Sequence, residues 1–326
     1  MKRIAGVVVL LAAMYAALYG SNENAFNRTN LLDIANKQGF YGVLTVAAAV
    51  LILSGSIDLS LGSVVALGAV GYALLIGDGV HPYLALPVVV AGGAGIGLVH
   101  GLLVHGLKLQ SFLVTLCGMF VWRGAARVLT GGREVGLQQV LQANEAFRQP
   151  VASLQYVLVG KGPAGEDMFP AMMVVFGLIA VGFGAILHFT VHGRYWLALG
   201  YSEAAARYAG VPVGRYRVAS FVLASALGAL AGVMLLLYYG SAKPDNAGQS
   251  LELEAITGAV LGGVSLRGGE GTIVGMALGA AVLPLLQTLV TFLGVPNEVI
   301  PVVIGLTLLV GSVTDEWIRR RGAGRK

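Results

Sequence analysis

Few side chains in this sequence could do chemistry, and those few stand out because their surroundings are apolar. Asp58 is the one charged residue between Gly39 and Gly77. A carboxylate at membrane depth costs about 2.5–3.5 kcal/mol unless it is paired, capping or hydrated. Two uses answer that cost. Asp58 and Ser60 either line a polar path for a solute or cap the helix that begins near Leu59. Arg123 and Arg127 lie one helical turn apart near the end of another apolar run. They are placed to snorkel to an interface, or, for Arg123, to border the mouth of a path. Glu252 and Glu254 open a further run. An interface suits both, and Glu254, nearer the apolar residues, is also a candidate for contact with a solute or a docked partner. His100 and His105 read as helix-contact groups. Glu203 and Arg207 are four apart and can pair with each other or with a partner.

Catalysis is not written here. The sequence contains no Gly-x-x-x-x-Gly-Lys-Ser/Thr phosphate loop, no His-Glu-x-x-His pair and no recognised arrangement of Ser, His and Asp. The single cysteine, Cys117, allows neither an internal disulfide nor a cysteine metal site. We therefore expect no catalytic residue, no bound metal and no cofactor. The net charge of +5 is read through the loops rather than as a sign of nucleic acid, and no nucleic-acid partner is expected.

The elements that hold these residues follow from composition. Charged residues make up 11% of the 326 positions, against about 25% in soluble domains, and 56% are hydrophobic. Mean hydropathy is +0.80. A disordered chain, a disulfide-knit secreted domain and an ordinary cytosolic enzyme are excluded. The expected fold is all-α, a polytopic membrane protein forming one transmembrane domain over residues 1–326. At about 20 residues per span there is room for about ten transmembrane helices. The runs are Ile4–Tyr19, two arms within Gly39–Gly77, Tyr83–Leu107, Phe112–Thr130, Met168–Phe189, Val218–Tyr239, Ala255–Leu266, Thr272–Leu293 and Val299–Val313. The first run also has the opening of a cleaved signal peptide, but its length and the spans that follow favour a retained helix. Residues Ser21 to Gln38 suit an interfacial helix. The Gly39–Gly77 stretch is expected to break at Ser54–Ser60. Arms of about 15 to 17 residues reach only about 22–25 Å, so the turn falls within the membrane and the helices are discontinuous.

With the N-terminus inside and ten alternating segments, thirteen Lys and Arg fall inside and six outside. Arg123 and Arg127 lie within a span, which accounts for all 21. That bias places both termini in the cytoplasm. Gly93, Gly97 and Gly101 recur every fourth residue, as do Gly271, Gly275 and Gly279, the spacing of tightly packed helices. Two hydrophilic segments remain. Residues Gly131 to Asp167 form the largest outer loop. Residues His192 to Arg217 lie inside, and there Ser202 caps, Glu203 suits the helix dipole, Ala204–Ala206 favour helix, and Gly210 with Pro212 stops it. That predicts an exposed helix of about two turns.

Four stretches resemble the membrane subunits of bacterial ATP-binding-cassette (ABC) sugar importers of the ribose/xylose/galactofuranose type. They are Leu53-Ser54-Gly55-Ser56-Ile57-Asp58-Leu59-Ser60-Leu61-Gly62-Ser63; Gly193-Arg194 through Ala205-Ala206-Arg207-Tyr208-Ala209-Gly210-Val211; Val260-Leu261-Gly262-Gly263-Val264-Ser265-Leu266-Arg267-Gly268-Gly269-Glu270-Gly271-Thr272; and Phe112-Leu113-Val114-Thr115-Leu116-Cys117-Gly118-Met119 with Arg123-Gly124 and Thr130-Gly131-Gly132. The resemblance covers residues 27 to 314, and it is strongest to a galactofuranose importer's permease. It departs at Ser56, where the family has Gly, and at Arg267, where a small polar residue is common. The resemblance implies a multi-pass permease of the bacterial inner membrane that carries a monosaccharide. A cytoplasmic ABC ATPase would hydrolyse ATP, a periplasmic sugar-binding protein would deliver the cargo, and a second permease subunit, identical or different, would complete the path. It also implies that residues 192–217 are a coupling loop, with Ser202, Glu203, Ala205, Ala206, Arg207 and Gly210 docking to the ATPase. Asp58, Ser60, Arg123 and Glu254 are then the candidates for the path. Without the resemblance, an ion-gradient-driven secondary transporter competes, although Asp58 is nearly alone as an embedded ionisable group.

Overall fold

The computed structural model describes residues 2–21, 23–162, 165–294, 296, 299–303, 305–306, 309 and 313. The last expected segment, Val299–Val313, lies partly outside these residues, as do the terminal cations Arg319, Arg320, Arg321, Arg325 and Lys326. The described chain is helical almost throughout. α1 (Lys2–Ser21) leads through a short turn into α2 (Arg28–Leu53), α3 (Leu61–Gly77), α4 (Pro82–Gly106) and α5 (Ser111–Thr130). Two short helices, α6 (Leu137–Ala143) and α7 (Arg148–Leu154), occupy the expected outer loop. Then come α8 (Ala171–Phe189), α9 (Val191–Tyr201), α10 (Glu203–Tyr208), α11 (Val213–Tyr239), α12 (Leu251–Leu261) and α13 (Ile273–Phe292). The only sheet among the described residues is a two-residue pairing of β1 (Val135–Gly136) with β2 (Ser241–Ala242).

Six helices, α2, α4, α5, α8, α11 and α13, are long and apolar enough to cross a membrane; α1 and α3 carry shorter apolar stretches. The remaining two expected spans do not meet that measure among the described residues. At 11 residues, α12 is about 16 Å long, half a crossing. In the chain before it, Ala242, Pro244, Ala247 and Gly248 are buried, whereas Lys243, Asn246, Gln249 and Ser250 are exposed.

The interfacial helix expected over Ser21–Gln38 is corrected. Asn27 caps α2 by accepting the Asn30 amide at 2.8 Å, and the helix runs on unbroken for 26 residues, about 39 Å. Gly39 and Gly42 do not interrupt it because α8 fills the space beside them: a Cβ on Gly39 would strike the Met172 backbone, and one on Gly42 the Phe176 ring. The first arm of the hairpin is therefore a full crossing. Only the second, α3, is short, at 17 residues. The break itself falls at Ser54–Ser60 as expected.

The glycine rows are packing surfaces. A Cβ on Gly93, Gly97 or Gly101 of α4 would meet the backbone of α11 at Ser225, Phe221 and Val218. Gly275 and Gly279 of α13 lie likewise against Gly262 and Gly258, at the end and middle of α12. α2 and α11 form the buried centre. The outer faces of α4, α5 and α8 instead expose Leu102, Phe120, Val128, Leu178 and Val181, as expected where lipid or another membrane subunit replaces water.

Candidate functional site

The helix expected after Ser202 is α10, and it stands at the tip of an elbow formed with α9. The Ser202 hydroxyl accepts the Ala205 amide at 3.2 Å, which fixes the helix start. Glu203 is held on both sides: one carboxylate oxygen lies 2.8 Å from Arg207 and the other 2.8 Å from Arg217 of α11. Partial burial opposes its charge, but hydrogen bonding and attraction to Arg217 and then Arg207 prevail, so its carboxyl titrates below the usual glutamate range. Ala206 is the buried side of the helix and packs with Leu199, Val211 and Val213. Gly210 ends it at φ +79°, with its amide on the Arg207 carbonyl at 3.0 Å. Ala205 faces outward. So do Tyr201 and Tyr208, 80% and 94% exposed. Sequence reasoning passed over these two rings; the signal was an aromatic residue on each side of a short alanine helix.

The base of the elbow is bound to two other segments by backbone alone. Gly200 lies against the Leu53 carbonyl at the end of α2 and against the Gly269 amide. The Gly269 amide in turn donates to the Leu53 carbonyl at 3.1 Å. Gly268 and Gly269, at φ +88° and +74°, let the chain approach Gly200 and Tyr201 without a Cβ between them. Three of the stretches singled out from sequence, beginning at Leu53, Gly193 and Val260, thus meet at one junction.

Beyond Leu53 the chain makes the Ser54–Ser60 break. Asp58 is buried there, 5% exposed. Its Oδ1 accepts both the Ser60 amide and the Ser60 hydroxyl at 2.6 Å, which tightens the turn into α3. Oδ2 has no partner. α5 supports the same turn: Ser111 accepts the Ile57 amide at 3.4 Å and Thr115 the Leu59 amide at 3.1 Å.

Arg123 is half-buried. It turns inward and donates to three carbonyls of the segment before α12, Pro244 at 3.0 Å, Ala247, and Gly248 at 3.3 Å. Arg127 pairs with Asp245 of the same segment at 2.5 Å. The Gly248 carbonyl also accepts the Leu251 amide at 3.4 Å, and the guanidinium fork is suited to satisfying several carbonyls at once. Beside this clamp, Gly248 lies against Gly62 near the start of α3.

Below that segment lies a cavity of about 340 Å³, within the range of small-molecule sites. Glu254 of α12 lines it, together with Tyr41, Tyr238, Tyr239, Asn246 and Gln287. Glu254 is 9% exposed and its Oε2 has no partner. Tyr41 and Glu254 share the cavity wall, and Gln287 donates to the Tyr41 hydroxyl at 2.8 Å. Carboxylate, phenol and amide from α12, α2 and α13 therefore form one polar row on the cavity wall. Asp58, Ser60 and Arg123 do not line it. No group of three or more His, Cys, Asp or Glu is placed to hold a metal among the described residues.

Comparison with known proteins places this geometry in context. A family model described as "Branched-chain amino acid transport system / permease component" matches residues 30–311. The chain is 32% identical to the ribose import permease protein RbsC of Escherichia coli (strain K12) over 308 residues, covering 94% of this chain and 92% of that protein. It is 32% identical to the fructose import permease protein FruG of Bifidobacterium longum, covering 98% and 91%. It is 30% identical to the autoinducer 2 import system permease protein LsrD of an Enterobacter species, covering 96% and 92%. No solved structure matches.

Proposed function

The chain belongs to the permease-component family matched over residues 30–311, and from that membership we propose that it is the membrane subunit of an ATP-driven monosaccharide importer, with galactofuranose as its cargo. It is a transport component rather than an enzyme, and it lies in the bacterial inner membrane as a multi-pass protein with both termini cytoplasmic. A cytoplasmic ABC ATPase drives it, a periplasmic binding protein feeds it, and a second permease subunit, identical or different, completes the pathway. Near full-length similarity to permeases named for ribose and fructose import carries this reading and favours it over an ion-driven transporter.

The structure supports a coupling route through this chain. The exposed tip at Ala205 and Tyr208 would seat on the ATPase. Glu203, with its two arginines, holds α10 to α11, so the tip moves with that helix. The backbone junction of Gly200, Leu53 and Gly269 carries the same displacement to α2 and to the segment between α12 and α13. Those helices bear Tyr41, Glu254 and Gln287 on the cavity wall. A push at the elbow thus reaches the groups that can exchange hydrogen bonds with sugar hydroxyls. Asp58 and Ser60 lie along this route, next to Leu53. Arg123 holds the segment before α12 that covers the cavity.

The test is uptake of labelled ribose, fructose and galactofuranose into vesicles holding the chain with its ATPase and binding protein, with ion gradients collapsed. ATP-dependent uptake of any of the three supports an ATP-driven sugar permease, and uptake of galactofuranose in preference to ribose and fructose supports the cargo; preferred uptake of ribose or fructose would overturn the cargo alone. Gradient-driven uptake by the chain alone supports the ion-driven alternative.

A further inference from the structure

The elbow also borders a groove, which shares Glu203, Arg207 and Arg217 with it but extends to residues that the transport reading does not use. It is open, about 1190 Å³, and runs between the end of α4, the loop after it, α10 and the start of α11. Its rim is basic: His105, Lys108, Arg207, Arg215 and Arg217 all line it, against one carboxylate, Glu203. That carboxylate is already shared by Arg207 and Arg217. Among the described residues, Lys108 and Arg215 have no acidic partner. Lys108 is also one of two described non-glycine residues in the left-handed region, at φ 55°, so the loop holds it in a conformation that side chains rarely adopt.

The floor has the opposite character. Val104 of α4 and Val218, Ala219 and Val222 of α11 line it. Leu109 of the lining and Leu107 beside it are 41% and 66% exposed, so the apolar lining continues onto the surface at the end of the bundle. Two unpaired cations above an apolar channel, at the level where helices end, match a molecule with an anionic head and a hydrocarbon tail. An acidic, polar protein surface would satisfy the cations but leave the valine channel unfilled. A free anion would leave it unfilled too.

We propose that this groove binds one anionic phospholipid of the leaflet on the elbow's side, its phosphate between Lys108 and Arg215 and an acyl chain along Val104, Val218 and Val222. The lipid would brace α4 against α11 beside the moving elbow.

The probe is phosphatidylglycerol, with phosphatidylcholine and inorganic phosphate as the comparison ligands. The full-length chain is purified in mild detergent and its bound lipids are counted by native mass spectrometry during titration. The expected result is one tightly held phosphatidylglycerol per chain, weaker phosphatidylcholine, and no displacement by millimolar phosphate. Lys108→Gln with Arg215→Gln should weaken phosphatidylglycerol about 25-fold, the product of about fivefold per charge. Arg133→Gln with Arg148→Gln, an equal charge change in the loop before α8, should leave binding unchanged. Arg215→Gln alone gives a milder test if the double variant does not fold. Equal binding by wild type and both groove variants overturns the proposal. So does phosphate saturating the site as tightly as the lipid, which would make the ligand a free anion. Release of the lipid when the ATPase docks, with Lys108 and Arg215 crosslinking to that protein, would reassign the cations to protein docking.

Discussion

Replacing Gly200 by Ala adds one methyl group at the point where the elbow meets α2. That methyl has no room. It would overlap the Leu53 carbonyl oxygen and the Gly269 amide, with the Leu53 carbonyl carbon at 2.9 Å. All three are backbone atoms, so no side chain can rotate away. Overpacking of this kind costs about 1–3 kcal/mol. The 3.1 Å hydrogen bond from the Gly269 amide to the Leu53 carbonyl would be displaced as well, at about 1 kcal/mol. A cost of about 2–4 kcal/mol lowers the population of the closed junction by about 30-fold to 1000-fold. The assay is paired measurement of sugar uptake and ATP hydrolysis in vesicles holding the complete importer. Uptake should fall at least tenfold, and ATP turnover should fall far less, because the elbow tip is untouched. Gly182→Ala, at a helical position with open space beside it, serves as the control and should behave as wild type. Wild-type uptake and thermal stability in Gly200→Ala would refute the junction's role.

Three further outcomes are expected. Arg123→Lys should unfold at lower temperature than wild type in a detergent melt, nearly as low as Arg123→Met. One ammonium cannot reach the three carbonyls that the guanidinium serves; full rescue by Lys would show that charge alone matters. Asp58→Asn keeps an oxygen to accept from Ser60, whereas Asp58→Leu keeps none. If the turn is what Asp58 provides, the Asn variant should retain transport and the Leu variant lose most of it, and equal loss in both would instead assign the role to the charge. Glu203 has its carboxyl depressed by Arg217 and Arg207. Its stabilising contribution is therefore present above the ordinary glutamate value of about 4.3 and fades as pH falls through the lower folded-state value. The half-exposed setting keeps that contribution small. Stability of wild type minus Glu203→Gln, measured across pH 3 to 8, should be flat above pH 5 and shrink below it; a difference growing toward low pH would contradict the ion-pair assignment.

Local chemistry was legible in the sequence where one segment decides its own shape. Ser202, Glu203 and Gly210 carry the start, dipole and stop of α10 within nine residues. The Ser54–Ser60 break is likewise written in a cluster of Ser, Gly and Asp between apolar runs. The glycine rows announced close packing, though not the partners α11 and α12. What the sequence concealed depended on distant chain. The first third of α2 is polar enough to read as a surface helix, and it joins the crossing only because α8 packs over Gly39 and Gly42. Residues Ser241 to Ser250 are rich in Asn, Asp, Gly and Pro and read as an outer loop. Arg123, more than 120 positions earlier, holds their carbonyls at Pro244, Ala247 and Gly248. Glu254 stood out as a carboxylate beside an apolar run, but its companions Tyr41 and Gln287 come from helices far away in sequence and carry no signal of their own.

The decisive measurement is a crosslink. Cys117 is exposed and is first replaced by Ser; a single cysteine is then placed at Ala205 on the outward side of α10. In vesicles that import sugar, a short bifunctional reagent should join this position to the ATPase, and the yield should change when ATP is bound. A failure to join the two in transport-active vesicles, or labelling of the same cysteine from the periplasmic side by a membrane-impermeant reagent, would contradict an elbow driven from the cytoplasm.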